Sequence, residues 1–116
     1  MTTTIYHNPR CSKSRQALEL LEQRGTELDV VRYLDTPPDA ATLVDLLERL
    51  GISARDLMRK GEDPYKELNL ANPELSEAQL VQAMVDYPKL IERPIVIHDG
   101  KAVIGRPPER VLELFA

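Results

Sequence analysis

A chain of 116 residues with 42% apolar side chains is the size of one compact domain with a real core, and no second domain is expected over 1–116. A net charge of −4, with the acids spread through the middle of the chain, argues against nucleic acid as a direct ligand, because binding phosphate polymers needs a long basic face. One cysteine excludes an intramolecular disulfide, a CxxC pair and a cysteine-cluster metal site.

Taken in order, Thr3 to His7 is short, apolar and β-prone, and predicts the first strand. Asn8-Pro9 favours a turn, and a helix is expected from about Ser12 to Arg24, with Ala17, Leu18, Leu20 and Leu21 on one side and Gly25 as its stop. Leu28 to Leu34 predicts a second strand, parallel to the first and joined to it by a right-handed crossover. Thr36-Pro37-Pro38-Asp39 combines a capping hydroxyl, a first-turn proline and an acid, and opens a helix that carries Leu43, Leu46, Leu47 and Leu50 to Gly51.

Ser53 caps a shorter helix, Ala54 to Arg59, with Leu57 and Met58 facing inward. A polar loop follows from Lys60 to Pro64, then a turn or short helix from Tyr65 to Leu70. Ser76 with Gln79 spells a capping box for a helix running to about Tyr87. Ile95 to His98, Asp99-Gly100 and Lys101 to Ile104 spell a hairpin with a type I′ turn. Gly105-Arg106-Pro107-Pro108 breaks the strand before a last helix, Glu109 to Phe115. The order β-α-β, inserted helices at about 37–90, then β-β-α predicts a thioredoxin-like α/β fold with a four-stranded mixed sheet.

Cys11 falls at the junction of a strand and a helix N-terminus. Such a place offers backbone N–H groups without intrahelical partners and the positive end of the helix dipole, which stabilise an anion, either the Cys11 thiolate or a bound oxyanion. Arg10, Lys13 and Arg15 add positive charge to a segment without an acid, so Cys11 is expected to be a nucleophile rather than a small buried apolar residue. His7 either tunes the thiol or holds the turn through a hydrogen bond.

In the expected topology Glu92-Arg93-Pro94-Ile95 lies beside the cysteine turn, and Pro94 stands where thioredoxin-like proteins carry a cis peptide. Arg93 then reaches the thiol's pocket, and Arg106 returns to the same end of the sheet across the hairpin. Arg59 is expected to end its helix as a lid residue. Guanidinium groups suit tetrahedral oxyanions because they stay charged and offer a planar fork of donors. Arg24, Arg32, Arg49, Arg55 and Arg110 are read as solvated charges, and His98 as a surface residue by the hairpin turn. Two such separated histidines make a metal site improbable, so none is expected. With no apolar run long enough for a bilayer and no signal-peptide pattern after Met1, no membrane is expected as a partner and the reducing cytoplasm is the expected setting.

The runs Tyr6-His7-Asn8-Pro9-Arg10-Cys11-Ser12-Lys13-Ser14-Arg15 and Tyr33-Leu34-Asp35-Thr36-Pro37-Pro38 carry a family resemblance, together with Leu57-Met58-Arg59-Lys60, Arg93-Pro94-Ile95-Val96 and Gly105-Arg106-Pro107. As a set they resemble the arsenate reductases that use glutathione and glutaredoxin, over nearly the whole chain. The resemblance implies that Cys11 attacks arsenate and that Arg59, Arg93 and Arg106 hold the oxyanion and the covalent arsenic adduct. His7, Ser14, Arg15 and Pro94 are expected in support. It further implies glutathione as cosubstrate, glutaredoxin as partner and no bound cofactor. Arg10 and Ser12-Lys13 stand where plasmid-borne members carry smaller residues, and the C-terminal tail of those members is missing after Phe115, as in a short chromosomal branch.

Two alternatives follow from the same residues. One is a regulator similar to the Spx type, which binds RNA polymerase. Those usually carry a CxxC pair, whereas here Ser14 stands three residues after Cys11. The other keeps the thiol chemistry and takes a different oxyanion or a glutathionylated thiol.

Overall fold

The computed structural model describes residues 2–115, which fall in two compact units. One comprises the segment up to Thr36 with the segment from Arg93 onward, and the other is Pro37–Glu92.

The first unit is built on β1 (Thr2–Tyr6), α1 (Ser12–Gln23), β2 (Glu27–Val31), β3 (Ile95–His98), β4 (Lys101–Ile104) and a closing 3-10 helix, Pro108–Phe115. Its sheet runs in the order β2-β1-β3-β4, with β1 parallel to β2 and antiparallel to β3, and β3 antiparallel to β4. Side chains alternate across a pleated strand. Ile5 is level with Val96, and Val96 with Val103, so all three point to one face, where they pack with Ala17 and Leu21 of α1 and Val111 of the 3-10 helix. Ile5, Leu21, Val96 and Val111 are fully buried, which stabilises the fold by roughly 1.5–3 kcal/mol each. α1 closes at Arg24 because Gly25 takes a φ of +71°, the left-handed conformation that a C-terminal glycine adopts without a steric penalty.

The second unit contains α2 (Ala40–Leu50), α3 (Ala54–Leu57), α4 (Asp63–Glu67), α5 (Glu77–Asp86) and a 3-10 turn, Pro88–Leu90. Its core gathers Leu43, Leu46, Leu57, Leu80, Met84 and Leu90. Both halves of the expected capping box form: Ser76 accepts from the Gln79 N–H, and Gln79 accepts from the Ser76 N–H.

The β-α-β half, the helical segment and the hairpin give the expected four-stranded mixed sheet of a thioredoxin-like fold. Asp99 and Gly100 both take positive φ, as the two-residue hairpin turn requires. Several boundaries differ. β2 stops at Val31 rather than Leu34, because the Arg32 carbonyl accepts from the N–H groups of Asp35 and Thr36 and turns the chain. α2 starts later than Thr36 suggested: Asp39 is the cap, and its carboxylate accepts from the Thr42 N–H. α3 ends at Leu57, so Arg59 does not end a helix. It follows Met58, which bridges to Ile91. The short helix after the polar loop spans Asp63–Glu67 instead of Tyr65 to Leu70, and the last helix is 3-10 and begins at Pro108.

Candidate active site

The strand directions bring one end of the sheet together. Tyr6 is level with Val31 on one side and Ile95 on the other, and Ile95 with Ile104. The residues just beyond these pairs are therefore neighbours: His7, Arg32, Pro94 and Gly105. The backbone continues the pairing, with the His7 N–H donating to the Val31 carbonyl (2.8 Å) and the Gly105 N–H to the Pro94 carbonyl (2.9 Å).

Cys11 leaves this end on a tight loop. Its N–H donates to the Asn8 carbonyl (3.0 Å), and its own carbonyl accepts from the Arg15 N–H as the first bond of α1. Cys11 is thus the N-cap, in extended conformation, and its side chain makes no capping hydrogen bond. It is a free thiol, half-buried rather than sealed in the core. The Asn8 side chain accepts from the Arg10 N–H (3.0 Å), which shapes the loop from within.

Beneath the loop lie His7 and Ser14, both buried. His7 Nδ1 and Ser14 Oγ are 2.6 Å apart, and Ser14 Oγ also accepts from the Asn8 N–H at 3.1 Å. The hydroxyl donates to Nδ1 in one imidazole tautomer and accepts from it in the other, so the contact is satisfied either way. Burial lowers the His7 pKa below its ordinary 6.5, and the positive fields of Arg32 and Arg15 push it the same way. His7 is neutral at neutral pH and both holds the turn and sits under the thiol loop.

Arg15 donates to the Pro9 carbonyl (3.4 Å). Arg93 is half-buried, with its Nε and Nη1 atoms beneath the surface, and its peptide bond to Pro94 is cis, as expected. Arg106 is exposed and donates from Nη1 to the Arg93 carbonyl (3.4 Å), so the structure does bring these two arginines together. Arg59 belongs to the other unit, where its guanidinium pairs with Glu62 and Glu92.

Three residues read as ordinary surface groups are more than that. Arg55 donates to the carbonyls of Leu70 and Asn72 and fastens that loop. His98 hydrogen-bonds Thr3 (2.9 Å) and stacks on Phe115, and Arg24 lies 4.2 Å over the other partner of that stack, the Phe115 ring. Gly105, expected as a strand breaker and as part of the family resemblance, has a packing role that the sequence did not reveal. A Cβ there would come within 2.9 Å of Pro94 Cγ and 3.1 Å of Val111 Cγ1, so only glycine lets β4 close on the proline beside the thiol loop. The glycine is legible as a strand end, but its close packing depends on Pro94 and Val111, which lie elsewhere in the chain. The Arg106–Pro107 bond is also cis. Among the described residues no group of three or more histidine, cysteine or acidic side chains is placed to hold a metal, and no helix is long and apolar enough to cross a membrane.

A thioredoxin-like sheet with a lone cysteine capping its first helix and arginines converging on the same sheet end defines a class of single-cysteine thiol proteins. The ArsC family model matches residues 6–114, and the chain belongs to that family. It is 68% identical over 111 residues to YfgD of Escherichia coli (strain K12), an uncharacterized protein, with 95% of this chain and 93% of the relative covered. An arsenate reductase of Neisseria meningitidis serogroup A is 56% identical over 108 residues, covering 92% of each chain. The solved structure of an arsenate reductase from Vibrio cholerae superposes with a TM-score of 0.96 at 51% identity, covering 98% of each chain.

Proposed function

We propose that this protein is an arsenate reductase whose nucleophile is Cys11. The observation that carries it is a free thiol at the N-cap of α1, on the sheet end that also bears Arg93 and Arg106, in a chain whose relatives are named for that activity.

The helix N-terminus and the two guanidiniums draw in the oxyanion and offset its charge. The Cys11 thiolate attacks As(V), a sulfur–arsenic bond forms, and water or hydroxide leaves. The glutathione thiolate then attacks the Cys11 sulfur of the adduct, the sulfur–arsenic bond breaks with its electron pair left on arsenic, and arsenite departs as As(III). Two thiolates supply the two electrons that take As(V) to As(III), and they end joined as a mixed disulfide on Cys11. Glutaredoxin attacks the glutathione sulfur and frees Cys11. An external thiol suits a chain with a single cysteine, since an internal cascade needs a second. The reducing cytoplasm is the compartment that supplies both thiols. Arg59 has its role from the family resemblance, and Glu62 and Glu92 hold its guanidinium in its own unit.

The test is arsenate-dependent oxidation of reduced nicotinamide, coupled through glutathione reductase and glutaredoxin. Cys11→Ser is expected to abolish turnover, and substantial residual activity rules the mechanism out. Wild-type turnover that needs arsenate but proceeds without glutaredoxin overturns the proposed resolving step alone.

A further inference from the structure

Beside the cysteine loop is a cleft of about 210 Å³ lined by His7 to Arg10, Arg32, Leu34 and Asp35. We propose that this cleft is the seat for a carboxylate of the thiol cosubstrate, with Arg10 and Arg32 as its binding groups. The inference rests on the proposed glutathione dependence and gives that peptide thiol a place to bind.

Four observations support it. Position comes first: Arg10 is the residue before Cys11, and Arg32 leaves β2 at the end where the His7 N–H is bonded to Val31. The sulfur and the neighbouring residue's carboxylate of a short peptide lie within about two residues of extended chain, roughly 7 Å. A carboxylate in the cleft therefore leaves its sulfur in reach of the loop. Charge comes second. Arg10 and Arg32 contribute two positive charges and Asp35 one negative, with His7 held neutral, so the lining is net +1.

The third observation is that Arg32 is loosely committed. Among the described residues its ion pair is with Asp35, at 3.8 Å, with the two side chains 60% and 71% exposed. Such a pair exchanges readily for a better acceptor. The fourth is shape and chemistry: Leu34, 39% exposed, gives the cleft an apolar wall against which peptide methylenes can lie. A small tetrahedral oxyanion has no use for such a wall, whereas a peptide thiol has.

The test reads Cys11 directly and needs no arsenate. The thiolate attacks one sulfur of a disulfide, the S–S bond breaks, a mixed disulfide forms on Cys11 and the other thiolate leaves. Mass spectrometry gives the second-order rate with oxidised glutathione, which is anionic, and with bis(2-hydroxyethyl) disulfide, which is neutral. Their ratio cancels any effect of the arginines on the thiol's own reactivity. Arg32→Ala or Arg10→Ala alone should lower the ratio about threefold, and the double variant about tenfold, as expected for one and two partly exposed charge pairs. Arg32→Lys should restore most of the loss, and added salt should lower the ratio in wild type but not in the double variant. A double variant whose ratio stays within 1.5-fold of wild type overturns the proposal. Failure of the glutathione reading shows separately, as a wild-type protein that turns over no arsenate with glutathione.

Discussion

Ser14→Ala is the substitution that tests most of the site at once. Ser14 is fully buried, and its Oγ serves both His7 Nδ1 at 2.6 Å and the Asn8 N–H at 3.1 Å. Alanine removes both partners without filling their place. An unsatisfied buried polar group costs about 1–3 kcal/mol, with the half-buried Asn8 amide at the low end. Alanine recovers about 0.5 kcal/mol through its higher helix propensity. The expected net loss is thus ~2–3 kcal/mol. Unfolding entropy of about 2.1 cal/mol/K per residue gives ~0.24 kcal/mol/K for this chain, or about 4 °C per kcal/mol, so Tm should fall by ~8–12 °C. Scanning calorimetry at pH 7.5 reads this, and urea unfolding should show a lower midpoint. The same substitution in a His7→Ala background should cost less by about 1–2 kcal/mol, because the pair shares one hydrogen bond. A fall in Tm under ~2 °C, or strict additivity with His7→Ala, refutes the idea that this pair supports the thiol loop.

Gly105→Ala places a methyl 2.9 Å from Pro94 Cγ and 3.1 Å from Val111 Cγ1, and should cost about 1–3 kcal/mol by overpacking; an unchanged Tm contradicts the close approach. The His7 pKa is lowered on folding, so its contribution to stability is present above about 6.5 and declines as the pH falls through that value toward the folded pKa. Unfolding free energy measured from pH 7.5 to 5 should therefore fall more steeply in wild type than in His7→Gln, and equal slopes would count against a buried neutral imidazole. Arg106→Ala should lower kcat/KM for arsenate by about 10–100-fold, the loss of a charge-assisted contact of 1.5–3 kcal/mol. Arg110→Ala, at an exposed site paired with Glu113, should leave it unchanged, and parity of the two variants argues against a specific role for Arg106.

The elements legible in the sequence were those with local chemistry behind them. Asp99-Gly100 needs nothing beyond its own φ preferences to turn a hairpin, and Ser76 with Gln79 caps α5 through side chains three residues apart. Cys11 on a helix tip followed from the same local signals. What escaped depends on distant partners. Ser14 was expected in support of the site, but its burial was not legible: it shares the inward face with Ala17 and Leu21, at i, i+3 and i+7, between the charged neighbours Lys13 and Arg15. Gly105 matters because Pro94 packs on it from eleven positions away, and Arg32, just past the early end of β2, lines a cleft with loop residues far from it in sequence. The final helix was legible as an amphipathic stretch, but its 3-10 form was not.

On the proposed reaction, the arginines cannot be what tells arsenate from phosphate. Both are tetrahedral oxyanions of nearly equal size and charge, and a guanidinium fork answers only to charge and the spacing of oxygens. A site made of Arg93, Arg106 and a helix N-terminus should therefore bind both, and phosphate should act as a competitive inhibitor that Cys11 never transforms. Discrimination then falls to the bond-forming step: the sulfur adduct leads onward only where the central atom accepts two electrons from thiols, and phosphorus(V) does not. The prediction is a pattern across four anions in the coupled assay. Phosphate and sulfate should raise the KM for arsenate without being turned over, selenate, whose central atom accepts two electrons from thiols, should be turned over, and Arg106→Ala should weaken arsenate and phosphate by the same factor. A variant at Arg106 that lost arsenate while keeping phosphate affinity would place selectivity in the guanidinium cluster after all, and the division of labour between charge and sulfur would not stand.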